Sequence, residues 1–194
     1  MPVSLKRIKK ELQADIPKVG KGADGDYKFT PPNIVGRKVK NYTQLKISKV
    51  VKEANEKVGK IKVTCLSASE STSTKYKVYC EFYEAKFSAI ETKLFKHPIE
   101  VRKDGKKVTI YHKDLKYGTN PVRLRCQCMD FRHRFQKPLK DADGLFGGFI
   151  GYTRKTPAWP EGNPLANSTN KLGICKHISS LLRRIEDEGI LKNR

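Results

Sequence analysis

The chain has 194 residues, 37% of them hydrophobic, and a net charge of +21 from 41 Lys and Arg against 20 Asp and Glu. That length suits one domain or two small ones, and a hydrophobic share below the usual ~45–50% leaves a thin core that a metal or covalent staple would help. No apolar run is long enough to span a membrane, and the basic start MPVSLKRIKKEL lacks the apolar stretch of a signal peptide, so synthesis is expected in the cytosol, where the five cysteines point to ligands or buried thiols rather than disulfides.

Leu5, Ile8 and Leu12 recur at helical spacing, so residues 1–12 read as a short basic amphipathic helix or an arm. Residues 17–41 are rich in Gly, Pro and Lys and poor in apolar anchors, which predicts an irregular segment ordered by packing on something else. Residues 1–41 are therefore expected to form a basic extended arm. A helix is expected over 43–58: Thr43 can cap it, Ile47, Val50, Val51, Ala54 and Val58 form one apolar stripe, and Gly59 ends it.

Alternation of apolar and polar residues predicts strands at 61–66 and 75–83, joined by a polar loop, with Cys65 and Cys80 near the tip or middle of the pair. These two read as buried thiols. The segments 98–103 and 106–113 flank Asp104–Gly105, a dipeptide that favours the positive φ angles of a tight hairpin turn. Residues 122–128, VRLRCQC, form an alternating strand with Val122, Leu124, Cys126 and Cys128 on one face. Residues 129–136 predict one or two helical turns, capped by Asp130, with Phe131 and Phe135 one turn apart. Residues 137–173 hold many Gly, Pro, Asn and Asp and read as a long loop. Ile178, Leu181, Leu182 and Ile185 then mark a closing helix, with Gly189 at its end. The expected fold class is α+β: an antiparallel sheet of about five strands with two or three helices, divided into residues 1–41, a helix plus antiparallel β domain at 42–120, and a metal-binding module at 121–194.

The chemistry concentrates in two cysteine-bearing pairs. Cys126-x-Cys128 stands at the end of a strand, Cys175-x-His177 opens a helix, and 46 residues lie between them. Alternate strand positions point one way, and a helix N-terminus favours thiolates, so all four side chains can face one ion. Three cysteines and one histidine are a closed tetrahedral zinc set, which leaves no position for a reacting water. An iron–sulfur cluster is the other metal reading, with Cys65 or Cys80 as a fourth thiolate and His177 displaced. Without metal, the cysteines would be small buried apolar groups and His177 a helix histidine. A metal here would anchor the 137–173 excursion.

Cys126, Cys128, Cys175 and His177 in this order resemble the SWIM-type zinc-finger pattern, with a much longer insert than usual. That resemblance implies a short sheet and a helix around one zinc, and a role in binding DNA or proteins. The wider run RLRCQCMDFRHRF, GYTRKTPAWPEGNP and LGICKHISSLL is similar to small proteins of tailed phages, marine and cyanobacterial ones especially. This similarity covers roughly the last 75 residues. It implies a structural component of the virion, in the head–neck–tail or baseplate, made in the host cytoplasm and contacting other virion subunits.

The positive charge is spread: +9 over residues 1–60, +5 over 61–120 and +7 over 121–194. A body of that kind is drawn to polyanions such as DNA, or sits solvated among acidic neighbours in an assembly. Arg132, Arg134, Arg154, Lys155 and Trp159 are the candidate nucleic-acid or partner contacts; the alternative for the last three is a loop pinned by its Trp. His97, His112 and His133 lack ligand spacing to one another. No catalytic triad, carboxylate pair or phosphate loop stands out, so a non-enzymatic protein is expected, with no small-molecule substrate and no membrane partner.

Overall fold

A computed structural model describes residues 3–13, 20–21, 27–28, 39–41, 46–50, 57–69, 74–103, 105–150 and 172–192. The strands are β1 (Val3–Ser4), β2 (Gly20–Lys21), β3 (Tyr27–Lys28), β4 (Val39–Asn41), β5 (Lys46–Val50), β6 (Val58–Ser69), β7 (Tyr76–Ser88), β8 (His97–Lys103), β9 (Lys106–His112), β10 (Leu115–Lys116), β11 (Pro121–Cys126) and β12 (Leu191–Lys192). The helices are α1 (Leu5–Gln13), α2 (Gln136–Asp141) and α3 (Lys176–Asp187), and a π-helical turn, Phe131–Phe135, leads into α2.

The fold is α+β, as composition and periodicity predict. Its backbone is the antiparallel β6–β7 pair, two long strands whose inward positions, Ile61, Val63, Val78, Cys80 and Phe82, are all buried. β11 adds antiparallel to β7, with Leu124 opposite Cys80 and Cys126 opposite Val78, and β1 closes that edge by pairing with β11. On the other side β4 and β5 pair with β6. The β8–β9 hairpin extends from the end of β7, where Phe87 faces His112. Among the described residues this makes eight strands in one sheet, the five expected plus β1, β4 and β5. At the hairpin turn Gly105 has φ +76°, which explains why glycine follows Asp104.

Helix α3 packs across β6, β7 and β11 and buries Ile178, Leu181, Leu182 and Ile185, the stripe read from its sequence. It ends as expected at Gly189, whose φ is +72°. The Gly189 N–H donates to the Glu186 carbonyl and the Ile190 N–H to the Ile185 carbonyl, so the last turn's carbonyls are satisfied before β12 begins. Helix α1 buries Leu5 and Ile8, as its spacing predicts, and belongs to the same core that runs from Val3 to Leu191.

The helix expected over 43–58 is not formed. Lys46–Val50 is a strand, registered with Ile47 opposite Val63 and Val50 opposite Lys60, and Val58 and Gly59 already belong to β6. The apolar spacing fits a helix, but Ile47, Val50, Val51 and Val58 are β-branched and stiff at χ1, and an open edge of β6 was available to pair. Thr43 and residues 51–56 lie outside the described residues. The loop expected over 137–173 starts instead as helix α2, followed by a segment that docks along β11: the Leu124 N–H donates to the Gly144 carbonyl and the Phe146 N–H to the Leu124 carbonyl. Gly144 is buried there, and an added Cβ would collide with Val3 Cγ1 and meet Leu139 Cδ2 at 3.0 Å, which favours glycine. Among the described residues no helix is long and apolar enough to cross a membrane.

Candidate metal centre

The site forms where β11 ends against the start of α3. Cys126 is the last residue of β11, facing inward. Cys128 lies beyond the strand rather than on it, so strand alternation alone does not aim its sulfur. A knuckle does: the Gln127 N–H donates to the Lys77 carbonyl at 3.3 Å, and the Gln127 side-chain oxygen accepts from the Lys77 N–H at 3.0 Å. Gln127 thus clips the turn to β7 and lets the chain fold back between the two cysteines. Two backbone N–H groups then point at sulfur. That of Cys128 donates to Cys126 Sγ and that of Phe131 to Cys128 Sγ, both at 3.4 Å.

The second contact makes Cys128, not Asp130, the residue that caps the following turns. Asp130 has helical φ and ψ of −57° and −43° and no capping bond; its carboxylate pairs instead with Arg134 at 3.1 Å. Phe131 and Phe135 are buried, as their spacing predicts, but on a π-helical turn.

From the other side, Leu172, Ile174 and Cys175 run buried toward α3, and the Leu172 N–H donates to the Glu11 carboxylate of α1 at 2.9 Å. Cys175 occupies the N-cap position of α3 in extended conformation, and its carbonyl accepts from the Ser179 N–H. This places Cys175 Sγ and His177 in the first turn, where the helix dipole favours negative charge. The ring of His177 lies against Tyr76, centroids 5.0 Å apart.

Cys126, Cys128, Cys175 and His177 are all buried, and their ligand atoms lie within 4.8 Å of one another. Neither Cys65 nor Cys80 joins the group; both are buried thiols on β6 and β7. The donor set fits a metal ion on a further observation: Nδ1 and Nε2 of His177 are both buried and neither has a geometrically formed hydrogen bond among the described residues. A neutral imidazole always carries one donor and one acceptor, and burying both unpaired is costly. A metal ion takes one nitrogen directly. Tetrahedral zinc–sulfur bonds of about 2.3 Å place sulfurs about 3.8 Å apart, within reach of this spacing.

No protein-family model, curated protein or solved structure matches this chain.

The titration of the three sulfurs follows from their contact. Hydrogen bonds from Cys126 and then from Cys175 hold the Cys128 thiol far below its usual range. The same bond keeps the proton on Cys126 and pushes its pKa up, while burial, followed by its bonds to the other two sulfurs, raises Cys175. Binding a cation releases the protons these sulfurs still hold.

Of the candidate contact residues, Arg134 is engaged with Asp130, Arg132 is half-buried on the π-helical turn, and Arg154, Lys155 and Trp159 lie outside the described residues. Gln127 and Tyr76 escaped the sequence reading. Gln127 carried a signal in its place between two ligand cysteines; Tyr76 carried none, because only the β7–β11 register brings it to the site.

Proposed function

We propose that Cys126, Cys128, Cys175 and His177 hold one structural zinc ion, and that the chain is a non-enzymatic structural protein that works by binding macromolecules. The observation that carries this reading is the closed donor set. All four ligands are buried, His177 has no other partner for its nitrogens among the described residues, and a fourth protein ligand leaves no coordination position for substrate or water. The ion's contribution is to tie β11 to α3 across the long intervening segment. Elemental analysis tests it: about one zinc per chain and no iron is expected. Iron with acid-labile sulfide would favour a cluster instead.

The proposal of a tailed-phage particle protein rests on the resemblance of the segments RLRCQCMDFRHRF, GYTRKTPAWPEGNP and LGICKHISSLL to small proteins of tailed phages. In this reading the chain is a virion structural or assembly protein of the head–neck–tail or baseplate. Mass spectrometry of purified particles should detect its peptides; their absence from the particle removes the assignment.

Nucleic-acid binding is the second reading. A specific observation favours it: the wall of the cleft beside Cys126 carries basic and aromatic side chains and, among the described residues, no acidic one.

A further inference from the structure

The cleft lies along β11 beside the metal centre, with Cys126 among its lining residues, and has a volume of about 520 Å³. Arg125 from β11, Arg132 from the π-helical turn and Lys62 from β6 reach its wall, together with Tyr79, Phe146 and Gln136. The two rings stack, with centroids 5.4 Å apart and planes 18° from parallel. Lys62 Nζ stands 5.1 Å from the Phe146 centroid and 5.5 Å from that of Tyr79.

The guanidinium groups are arranged at a cost. The Nε atoms of Arg125 and Arg132 are both buried and find no hydrogen-bond partner among the described residues. Arg125 donates through Nη2 to the Gly148 carbonyl, which fixes its plane without neutralising its charge. Two guanidinium-bearing side chains on one cleft wall suit an anion with several acceptor oxygens, and a phosphate has the oxygens to bond to both.

We propose that this cleft binds single-stranded nucleic acid, with one phosphate between Arg125 and Arg132 and the adjoining base against the Tyr79–Phe146 rings. This rests on the nucleic-acid reading above and adds its place and substrate class. The volume suits one nucleotide. The positive charge spread over the rest of the chain suits a repeating anion rather than an isolated one. The ring pair selects a single strand, because a duplex keeps its base faces stacked inside. An acidic peptide would satisfy the arginines but give the rings no role.

The test measures binding of a fluorescein-labelled oligo(dT) strand to the zinc-loaded full chain at several salt concentrations. Arg132→Gln and Phe146→Leu are the cleft variants. Lys93→Gln and Lys107→Gln are controls on exposed lysines, the latter paired with Glu100 at the surface. Arg132→Gln should weaken binding roughly tenfold and lower the salt slope by about 0.7, one phosphate contact on a single strand. Phe146→Leu, which keeps apolar bulk but removes the ring face, should weaken binding roughly tenfold with the slope unchanged. Each control should cost less than about twofold. Zinc content and circular dichroism report folding, and if Arg132→Gln loses either, Arg125→Gln replaces it with the same expectation.

Equal losses in all four variants would sink the cleft while leaving general polyanion binding intact. Failure of the wild type to bind the strand would sink both. Duplex DNA, polyglutamate or free dTMP binding as tightly as the strand would overturn the substrate class.

Discussion

Two ends of the sheet each bury a histidine, and they solve the problem differently. At the metal end His177 has both ring nitrogens buried and unpaired among the described residues, and three sulfurs surround it. At the hairpin end His112 is fully buried, but its Nδ1 lies 2.6 Å from the Lys113 carbonyl. A carbonyl only accepts, so Nδ1 carries the proton and Nε2 is left as the bare lone pair. The His97 ring lies tilted beside it, centroids 4.9 Å apart, and turns its own Nε2 to Asp114 at 2.6 Å. A backbone carbonyl satisfies one nitrogen at the hairpin end, whereas the other end presents a donor set able to hold an ion. The difference teaches what marks a ligand histidine here: several sulfurs beside it and no backbone partner.

The largest effect separates the two ends by removing metal. Chelation, or His177→Gln, should release the zinc and cost on the order of 10 kcal/mol, the scale of structural zinc in small modules. That is comparable to the whole stability of an ordinary domain, so the cooperative thermal transition should be lost or moved far down. His112→Gln should keep full zinc content, read by elemental analysis; loss of zinc in that variant would break the distinction.

Acid sharpens it next. Burial, foremost, and the nearby His97 push His112 down from 6.5 to about 4, against the opposing pull of the Lys113 carbonyl and Asp114. The fold therefore prefers the neutral ring. Its stabilising contribution is complete above the unfolded value and is lost as pH falls from 6.5 toward 4, because the unfolded chain takes up the proton first. The loss amounts to about 3 kcal/mol over that window. Urea unfolding of zinc-loaded wild type against His112→Gln should show a gap that changes steadily between pH 7 and 5, with the wild type the more acid-sensitive. Parallel profiles would contradict the assignment.

The smallest effect is at the rim of the hairpin end. Burial opposes ionisation of Asp114, yet His97 and Lys96 together hold its carboxyl below the usual range. The pair is partly exposed, so Asp114→Asn should cost no more than about 1 kcal/mol at neutral pH. Lys96 and His97 both lose a partner, and the effect should shrink further in high salt.

Much of this was legible in the sequence because it is periodic or locally spaced. Alternation marked β6, β7 and β11, Asp104–Gly105 marked the hairpin turn, and the two x-spaced pairs marked the metal cluster. Residues 46–50 were misread because a stripe at helical spacing does not exclude a strand when its residues are β-branched and a sheet edge is free to pair. The His97–Asp114 contact and the Arg125–Arg132 cleft were not legible at all. Each joins side chains whose approach depends on strand register and on how the Gly144 segment docks on β11, and neither leaves a spacing in the chain.

X-ray absorption on the purified chain addresses the ion directly. A zinc edge is expected, with three sulfurs at about 2.3 Å and one nitrogen at about 2.0 Å. An iron edge, a shell with oxygen in place of sulfur, or a folded chain with no metal at all would contradict it.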